Sequence, residues 1–477
     1  MKQFEDKYLV AIDLGSSKIG ICVALVQEGN VHIVHYREIP SAGIQASAIY
    51  IPMLTAKAVR KAIAEAEEEL MIKIKSVVVG MPRNDVVQVD ASAAMERQDP
   101  EEYVSDEEVR FIKEKALETY PLPNPEKQAI FGAIAQSFTL DDGIKLSERD
   151  IVGTLSPTLE GNFKVFVGRK KAVQAIEKMF RGTGIEIAKK FFIPEVMGCA
   201  VLSKEELKNG VALVDIGAGV TSIAIYKDNV MRYYDAIPFG GNNVSSDIET
   251  ECSLDEDLSE KIKKRFGFCQ PDKLGPDGEK ILQIRLTEPY REIQVKYISE
   301  IVTARYRELI EAVLYHIQES GLYNSLRGGI VLTGGAAEQR GLESMVRDLS
   351  GFNVRKGYPK TLFSAPAGSS VFCTSSTASI GMILAARDEG LEDCAGESEV
   401  VEIKKEEPAV EPQSGPEETE QLFPDEPAVE QNDHRSITGV KRGRKKPTPG
   451  GEQTGFLPLI WNTVESKLLK IYDEMNQ

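Results

Sequence analysis

Short apolar runs at residues 8–13, 19–27 and 31–39, each bounded by polar or glycine-bearing turns, predict three consecutive strands. An alanine- and glutamate-rich stretch at 55–70 predicts a helix. The run at 75–80, with Val77, Val78 and Val79, predicts a buried strand. After Met81 and Pro82 the texture changes. Residues 84–163 hold a polar strand region, a helix opening at Ser105 with acidic residues behind it, and strands at 129–139 and 150–155. This predicts a small inserted α/β subdomain. An apolar strand then resumes at 163–167, followed by a helix at 169–181. Residues 211–226 read strand, glycine turn, strand, and repeat the strand–Asp-x-Gly–strand form of residues 8–25. Such a repeat implies two related lobes. A polar helical stretch at 244–321 separates it from 328–337, where another strand runs into glycines. The uncharged run 361–386 carries many Ser and Thr and Pro366, so it predicts a buried helix near 376–386 and not a membrane span.

The pattern changes again at the C-terminal end. At about 100° per residue, Leu457, Ile460, Trp461, Val464, Leu468, Ile471, Tyr472 and Met475 fall in one arc of roughly 120°, with Lys467, Lys470, Asp473 and Glu474 opposite. Residues 456–477 therefore predict an amphipathic helix. Five of the six residues 441–446 are Lys or Arg. An apolar face beside a polybasic flank suits an anionic membrane surface. A helix that docks on its own domain or on a partner protein would show the same face. Residues 392–455, rich in Glu, Pro, Gly, Ser and Gln, predict a disordered acidic linker. A helix on such a tether is poorly placed to join its own core, which favours membrane binding through Leu457, Ile460, Trp461, Val464, Leu468 and Ile471.

A net charge of −17 argues against general nucleic-acid binding. Six cysteines show no metal or redox spacing, as expected in a reducing cytoplasm. The four histidines are scattered, and His32 and His35 are expected on a strand. Residues 1–7 are charged and polar, so no signal peptide is expected.

Three glycine turns point at one ligand. In the first, Asp13 ends a strand, Gly15 lets the backbone turn and expose N–H groups, and Ser16, Ser17 and Lys18 add donors for phosphate oxygens. Asp13 is suited to Mg²⁺, through water. Asp215, Gly217, Gly219 and Thr221 form a second hairpin of the same kind, with Asp215 as a second metal candidate. In the third, Gly334, Gly335 and Ala336 follow Thr333, and their small side chains let a base or ribose approach the backbone. One such turn is usually only a turn. Two Asp-x-Gly hairpins about two hundred residues apart, with Thr-Gly-Gly-Ala beyond them, form a constellation.

This constellation resembles the actin/Hsp70/sugar-kinase superfamily, and within it the FtsA family of bacterial cell-division proteins. The segment Ile237-Pro238-Phe239-Gly240-Gly241 is similar to the family's Gly-Gly segment. Residues 258–267 are similar to its adenosine-side helix, so the resemblance implies that Gly241 lies at the nucleotide and that Glu260 and Lys263 contact ribose or base. It implies an α/β, actin-like two-lobed ATPase fold. The first lobe comprises 1–83 and 164–196, with the inserted subdomain at 84–163. The second lobe comprises 197–243 and 322–391, with an adenosine-side subdomain at 244–321. The linker (392–455) and the amphipathic helix (456–477) follow. Two departures bear on chemistry. Ala218 and Val220 interrupt the second hairpin, removing a hydroxyl, and the acid of Pro194-Glu195 follows the proline instead of preceding it. Glu195 is either a catalytic candidate that orients water or a surface or capping residue. ATP binding is thus expected, with hydrolysis slow or absent.

The resemblance implies a filament-forming protein with ATP and Mg²⁺ as cofactors, on the cytoplasmic side of the cell membrane at the division septum. Its implied partners are copies of itself, the anionic membrane surface, the FtsZ C-terminal peptide and later division proteins. The 244–321 subdomain would take the FtsZ peptide, with Lys296, Arg305 and Arg307 as basic positions. Ordinary solvated helix faces explain those charges as well. The alternative is a small-molecule kinase or other ATPase of the same superfold. A kinase needs a base beside its acceptor hydroxyl, and no Asp is convincingly placed for that.

Overall fold

The computed structural model describes residues 6–284, 291–360, 362–366 and 368–396. The expected C-terminal helix 456–477, its six membrane-facing residues and the linker beyond residue 396 lie outside the described residues. The linker expected from 392 starts later than that, because Cys394 is buried and Ala395–Gly396 pair antiparallel with Lys73–Ile74.

The chain enters as three strands joined by tight turns, β1 (Lys7–Leu14), β2 (Lys18–Gln27) and β3 (Asn30–Pro40). Each is antiparallel to the next, with Leu14 opposite Ile19 and Gln27 opposite Asn30. His32 and His35 both lie on β3. Helix α1 (Pro52–Leu70) starts with Pro in its first turn, where the missing N–H costs nothing, and buries Val59, Ala62, Ile63 and Ala66. It leads to β4 (Ser76–Gly80), which runs parallel to β1 and is buried along Val77–Gly80 as its all-apolar sequence requires.

Three long strands, β5 (Val87–Glu96), β6 (Gln128–Thr139) and β7 (Thr158–Arg169), then form a separate antiparallel sheet. Helix α2 (Asp106–Thr119) covers it and opens on a complete capping box between Ser105 and Glu108. The sheet has its own small core, including Ile112, Phe138, Ile151, Leu159 and Phe163. Two expectations differ here. The strand expected to resume the first lobe at 163 pairs with β5 and β6 along its whole length. Where a strand is expected at 150–155, Glu148–Ile151 forms one helical turn capped by Ser147.

Helix α3 (Lys170–Arg181) returns the chain to the first lobe, and β8 (Glu186–Phe191) pairs parallel with β4. The first sheet is thus ordered β8-β4-β1-β2-β3. Helix α4 (Ile193–Val201) crosses to the second lobe. There β9 (Val211–Ile216), β10 (Thr221–Lys227) and β11 (Val230–Ile237) form a second antiparallel meander. Helices α5 (Gly241–Cys252), α6 (Glu256–Phe266) and α7 (Val295–Glu319) follow, with a short hairpin of Ile281–Ile284 and Arg291–Gln294 between the last two. That hairpin interrupts what the sequence predicts as a continuous helical stretch. Strand β12 (Ile330–Thr333) lies parallel to β9. After α8 (Leu342–Ser350), β13 (Val354–Lys356) lies parallel to β12. The second sheet reads β11-β10-β9-β12-β13, the same order and directions as the first.

Helix α9 (Thr377–Asp388) runs back against α4. The two meet backbone to backbone at Gly381, where a Cβ would stand 2.6 Å from Val196 O. They form the crossing between lobes. The inserted sheet touches the second lobe as well as the first. Gln136 Nε2 donates to Met231 O (3.0 Å), Arg232 Nη1 donates to Gln136 O (2.9 Å), and the Tyr234 ring packs edge-on to Phe192, which stacks on Phe166. Among the described residues no helix is long and apolar enough to cross a membrane.

Candidate functional site

The internal repeat sets two identical turns opposite each other. Gly15 N–H donates to Lys18 O at 3.1 Å, and Gly217 N–H donates to Val220 O at 2.9 Å. A Cβ at Gly15 would stand 2.6 Å from Lys18 O, and one at Gly217 2.9 Å from Val220 O, so both turns require glycine. In register, Asp13 matches Asp215 and Lys18 matches Val220, so only the first turn carries a cation at that position. The turns meet across the lobes, where a Cβ on Gly219 would lie 3.0 Å from Ser16 Oγ.

Other elements close the space around them. The first N–H groups of α5 point at the second turn, Gly241 N–H to Gly217 O (2.9 Å) and Asn242 N–H to Ala218 O (2.8 Å). The loop after β12 enters through Gly334, whose φ of +87° and missing Cβ let it pass Asp215 and Ile216. Thr374 Oγ1 holds that loop by donating to Gly334 O, and Tyr306 Oη of α7 by donating to Ala336 O. The resulting cleft has a volume of about 360 Å³, within the range of small-molecule sites.

Asp13, Gly15, Ser16, Ser17, Lys18, Asp215, Gly217, Gly219, Gly241, Glu260, Lys263, Gly334, Gly335 and Ala336 all line this cleft. Thr221 does not. It is fully buried and its Oγ1 donates to Phe239 O at 2.9 Å, so it ties β10 to the segment before α5. Glu195 does not line the cleft either. It sits in the first turn of α4, where burial raises its carboxyl above the usual range and the neighbouring charges are those of Lys113, Glu389, Glu148 and Lys189. The structure thus does not bring Glu195 to the cleft.

The charged side chains are committed to one another. Lys18 Nζ lies 2.6 Å from Glu38 Oε2, and Ser375 Oγ also donates to Glu38. Lys263 is buried, and its three donors reach Gly241 O (2.7 Å), Ser245 Oγ (2.9 Å) and Glu260 Oε2 (2.5 Å). It therefore pins α5 to α6. Burial alone would raise the Glu260 carboxyl, but Lys263 and the hydroxyl of Ser245 outweigh it and hold it at about 2. The pair's contribution is thus complete above the ordinary carboxylate range and lost as pH falls toward that value. Of the cations considered for a partner peptide, Arg305 already makes a two-point pair with Asp247 (2.7 and 2.9 Å), while Lys296 and Arg307 are exposed.

A residue with no motif to announce it dominates the end of the cleft at the paired turns. Arg83 follows Pro82 in the loop after β4. Its Nη2 lies 3.2 Å from Asp13 Oδ1 and its Nε 3.2 Å from Asp215 Oδ2. The Arg83 side chain is only 13% exposed. Burial would lower its pKa, but the two carboxylates outweigh that and raise it, so it is charged throughout. Asp215 is pushed up by burial and by Asp13, and pulled down by Arg83. The expectation that Asp13 and Asp215 hold Mg²⁺ therefore does not fit this donor set, because a cation already stands between them. Glu338, the remaining carboxylate on the lining, pairs with Lys356 at 2.6 Å.

Two lobes with one repeated sheet order, joined by two crossing helices above a cleft built from paired hairpins, define an actin-like protein. The family model for cell division protein FtsA matches residues 212–376. The FtsA of Neisseria meningitidis is 29% identical over 362 residues, spanning 75% of this chain and 85% of that protein. The FtsA of Bacillus subtilis is 27% identical over 73% of this chain and 78% of that one, and the FtsA of Escherichia coli 26% over 75% and 86%. Among solved structures, the PilM-PilN type IV pilus biogenesis complex superposes with a TM-score of 0.55 at 14% identity, covering 80% of this chain and 98% of that chain. Over about three quarters of its length the chain is thus similar to FtsA cell-division proteins.

Proposed function

We propose that this protein binds ATP in the cleft, assembles into filaments at the cytoplasmic face of the membrane, and tethers FtsZ filaments there so that later division proteins can join. The observation that carries the nucleotide reading is the pair of Asp-x-Gly turns, one from each lobe, meeting at Gly219 and Ser16. Backbone N–H groups at such turns favour phosphate oxygens. The Gly334–Ala336 loop, Glu260 and Lys263 line the other part of the same cleft, where an adenosine would lie. The tether reading is supported by the similarity to FtsA proteins, by the apolar positions of the sequence 456–477 and by the cations at 441–446.

The nucleotide acts here as a structural link between lobes more than as a phosphoryl donor. Each carboxylate on the cleft lining is in an ion pair: Asp13 and Asp215 with Arg83, Glu260 with Lys263 and Lys264, and Glu338 with Lys356. None is free to act as the base a kinase needs. Calorimetric titration of the full chain with ATP is expected to give saturable one-to-one binding, and Ala336→Trp, which fills the cleft, is expected to remove it. Turnover is expected far below the ~10 s⁻¹ of a median enzyme. An absence of binding heat and of competition by unlabelled ATP would refute the nucleotide reading. Turnover at enzyme rates would refute the structural one.

A further inference from the structure

Asp13 and Asp215 occupy equivalent ends of two repeated hairpins, on opposite walls of the cleft, and in a phosphate site both need a countercharge. The described structure provides one from the chain itself. Arg83 is not an incidental surface rotamer. Pro82 precedes it, its N–H donates to Ser47 Oγ at 3.1 Å, and its carbonyl accepts from the Tyr234 hydroxyl of the second lobe. Ser47 N–H in turn donates to Ser16 Oγ in the first phosphate turn, at 3.1 Å. Loop, turn and opposite lobe thus fix the backbone that carries the guanidinium.

The guanidinium keeps capacity for a further acceptor. Nη2–H is hydrogen-bonded to Asp13. Nε is buried within 3.2 Å of Asp215 Oδ2 with no hydrogen bond aligned on it, so a further acceptor is left to the Nη groups. Arginine carries five N–H donors in a planar fork that matches phosphate oxygens. A divalent ion at the same place would face that positive charge at contact distance, and Mg²⁺ would also need its own octahedron of oxygens.

We propose that Arg83 is the resident cation of the phosphate site, bridging Asp13, Asp215 and the nucleotide phosphates in the position a divalent metal would otherwise fill, so that nucleotide binding does not require Mg²⁺. The proposal rests on the cleft's being a nucleotide site. It also makes Arg83 a relay between lobes, because its side chain holds both strand ends while its backbone holds Tyr234.

The test is the affinity of the full chain for ATP, measured by titration in millimolar Mg²⁺ and again in EDTA. The expected change is less than about threefold, because the metal contributes little beside a guanidinium already in place. Arg83→Met, which keeps most of the side-chain length and removes the charge, is expected to weaken binding in EDTA by about tenfold or more. Added Mg²⁺ is expected to recover part of that loss, since the two carboxylates are then free to take the ion. Loss of tenfold or more by the unaltered chain in EDTA overturns the proposal while leaving the nucleotide reading intact. Absence of binding in both buffers overturns both. The unaltered chain decides the matter even if Arg83→Met does not fold.

Discussion

Removing residues 456–477 is expected to reduce co-sedimentation with anionic vesicles to the level of a vesicle-free control. On the proposed tether, six large apolar side chains, Leu457, Ile460, Trp461, Val464, Leu468 and Ile471, enter the lipid interface together. Each contributes at most ~1.5–3 kcal/mol when fully buried, and less at an interface. The 441–446 cluster adds about 1 kcal/mol per cation at an anionic surface. Ordering the helix offsets part of both, so a single copy attaches reversibly and many aligned copies attach firmly. Truncation takes away the whole apolar term, and Trp461→Glu or Ile460→Glu is expected to act nearly as strongly. Trp461 is the only tryptophan in the chain, so its emission should shift to the blue on adding vesicles. Unchanged pelleting after truncation, with no emission shift in the intact chain, would remove the membrane half of the account.

Gly334→Ala is expected to be the most damaging single-methyl change in the cleft. Gly334 has φ of +87°, and a Cβ there would stand 2.4 Å from Asp215 Oδ1 and 2.5 Å from Ile216 O. The carbonyl belongs to strand backbone and cannot swing aside. The carboxylate could move only by leaving Arg83. Backbone strain and overpacking each cost about 1–3 kcal/mol, so a loss of about 3 kcal/mol or more is expected. Gly351→Ala is the matched control. Its φ is +72° with nothing within 4 Å of the added carbon, so only the left-handed conformation is penalised, at about 1 kcal/mol. Urea unfolding of the two variants measures the difference. Equal midpoints would mean that the loop after β12 is not held against Asp215 as described.

Much of this architecture is legible in the chain because it is local. A strand, Asp-x-Gly and a second strand fit within some twenty residues. Seeing that unit at both 8–25 and 211–226 already implies two lobes, and the shared order of the two sheets agrees. Ser105 with Glu108 marks a helix start because a capping box spans only three residues. What escapes the sequence depends on partners far along the chain. Arg83 gains its role from Asp13 and Asp215, 70 and 132 residues away, and no spacing links the three. Of the strand Thr158–Arg169 only the apolar part at 163–167 is legible, since its alternating first half, with Gly161 and Asn162, is held by β5 and β6. Thr221 is a plausible phosphate donor by type, but its hydroxyl is claimed by Phe239 O. The hairpin at Ile281–Ile284 and Arg291–Gln294 has four-residue strands, too short for alternation to stand out from a helical background.

In the proposed function one chain joins nucleotide, membrane and FtsZ filaments. Its most direct test is a pelleting assay with the full chain, anionic vesicles and FtsZ filaments, with and without ATP. The expected result is that FtsZ floats or pellets with the vesicles only when this protein is present, more strongly with ATP, and no longer when residues 456–477 are removed. Recovery of FtsZ with the vesicles at the same level in the absence of this protein, or failure of FtsZ to join vesicles that carry it, would rule out the tether.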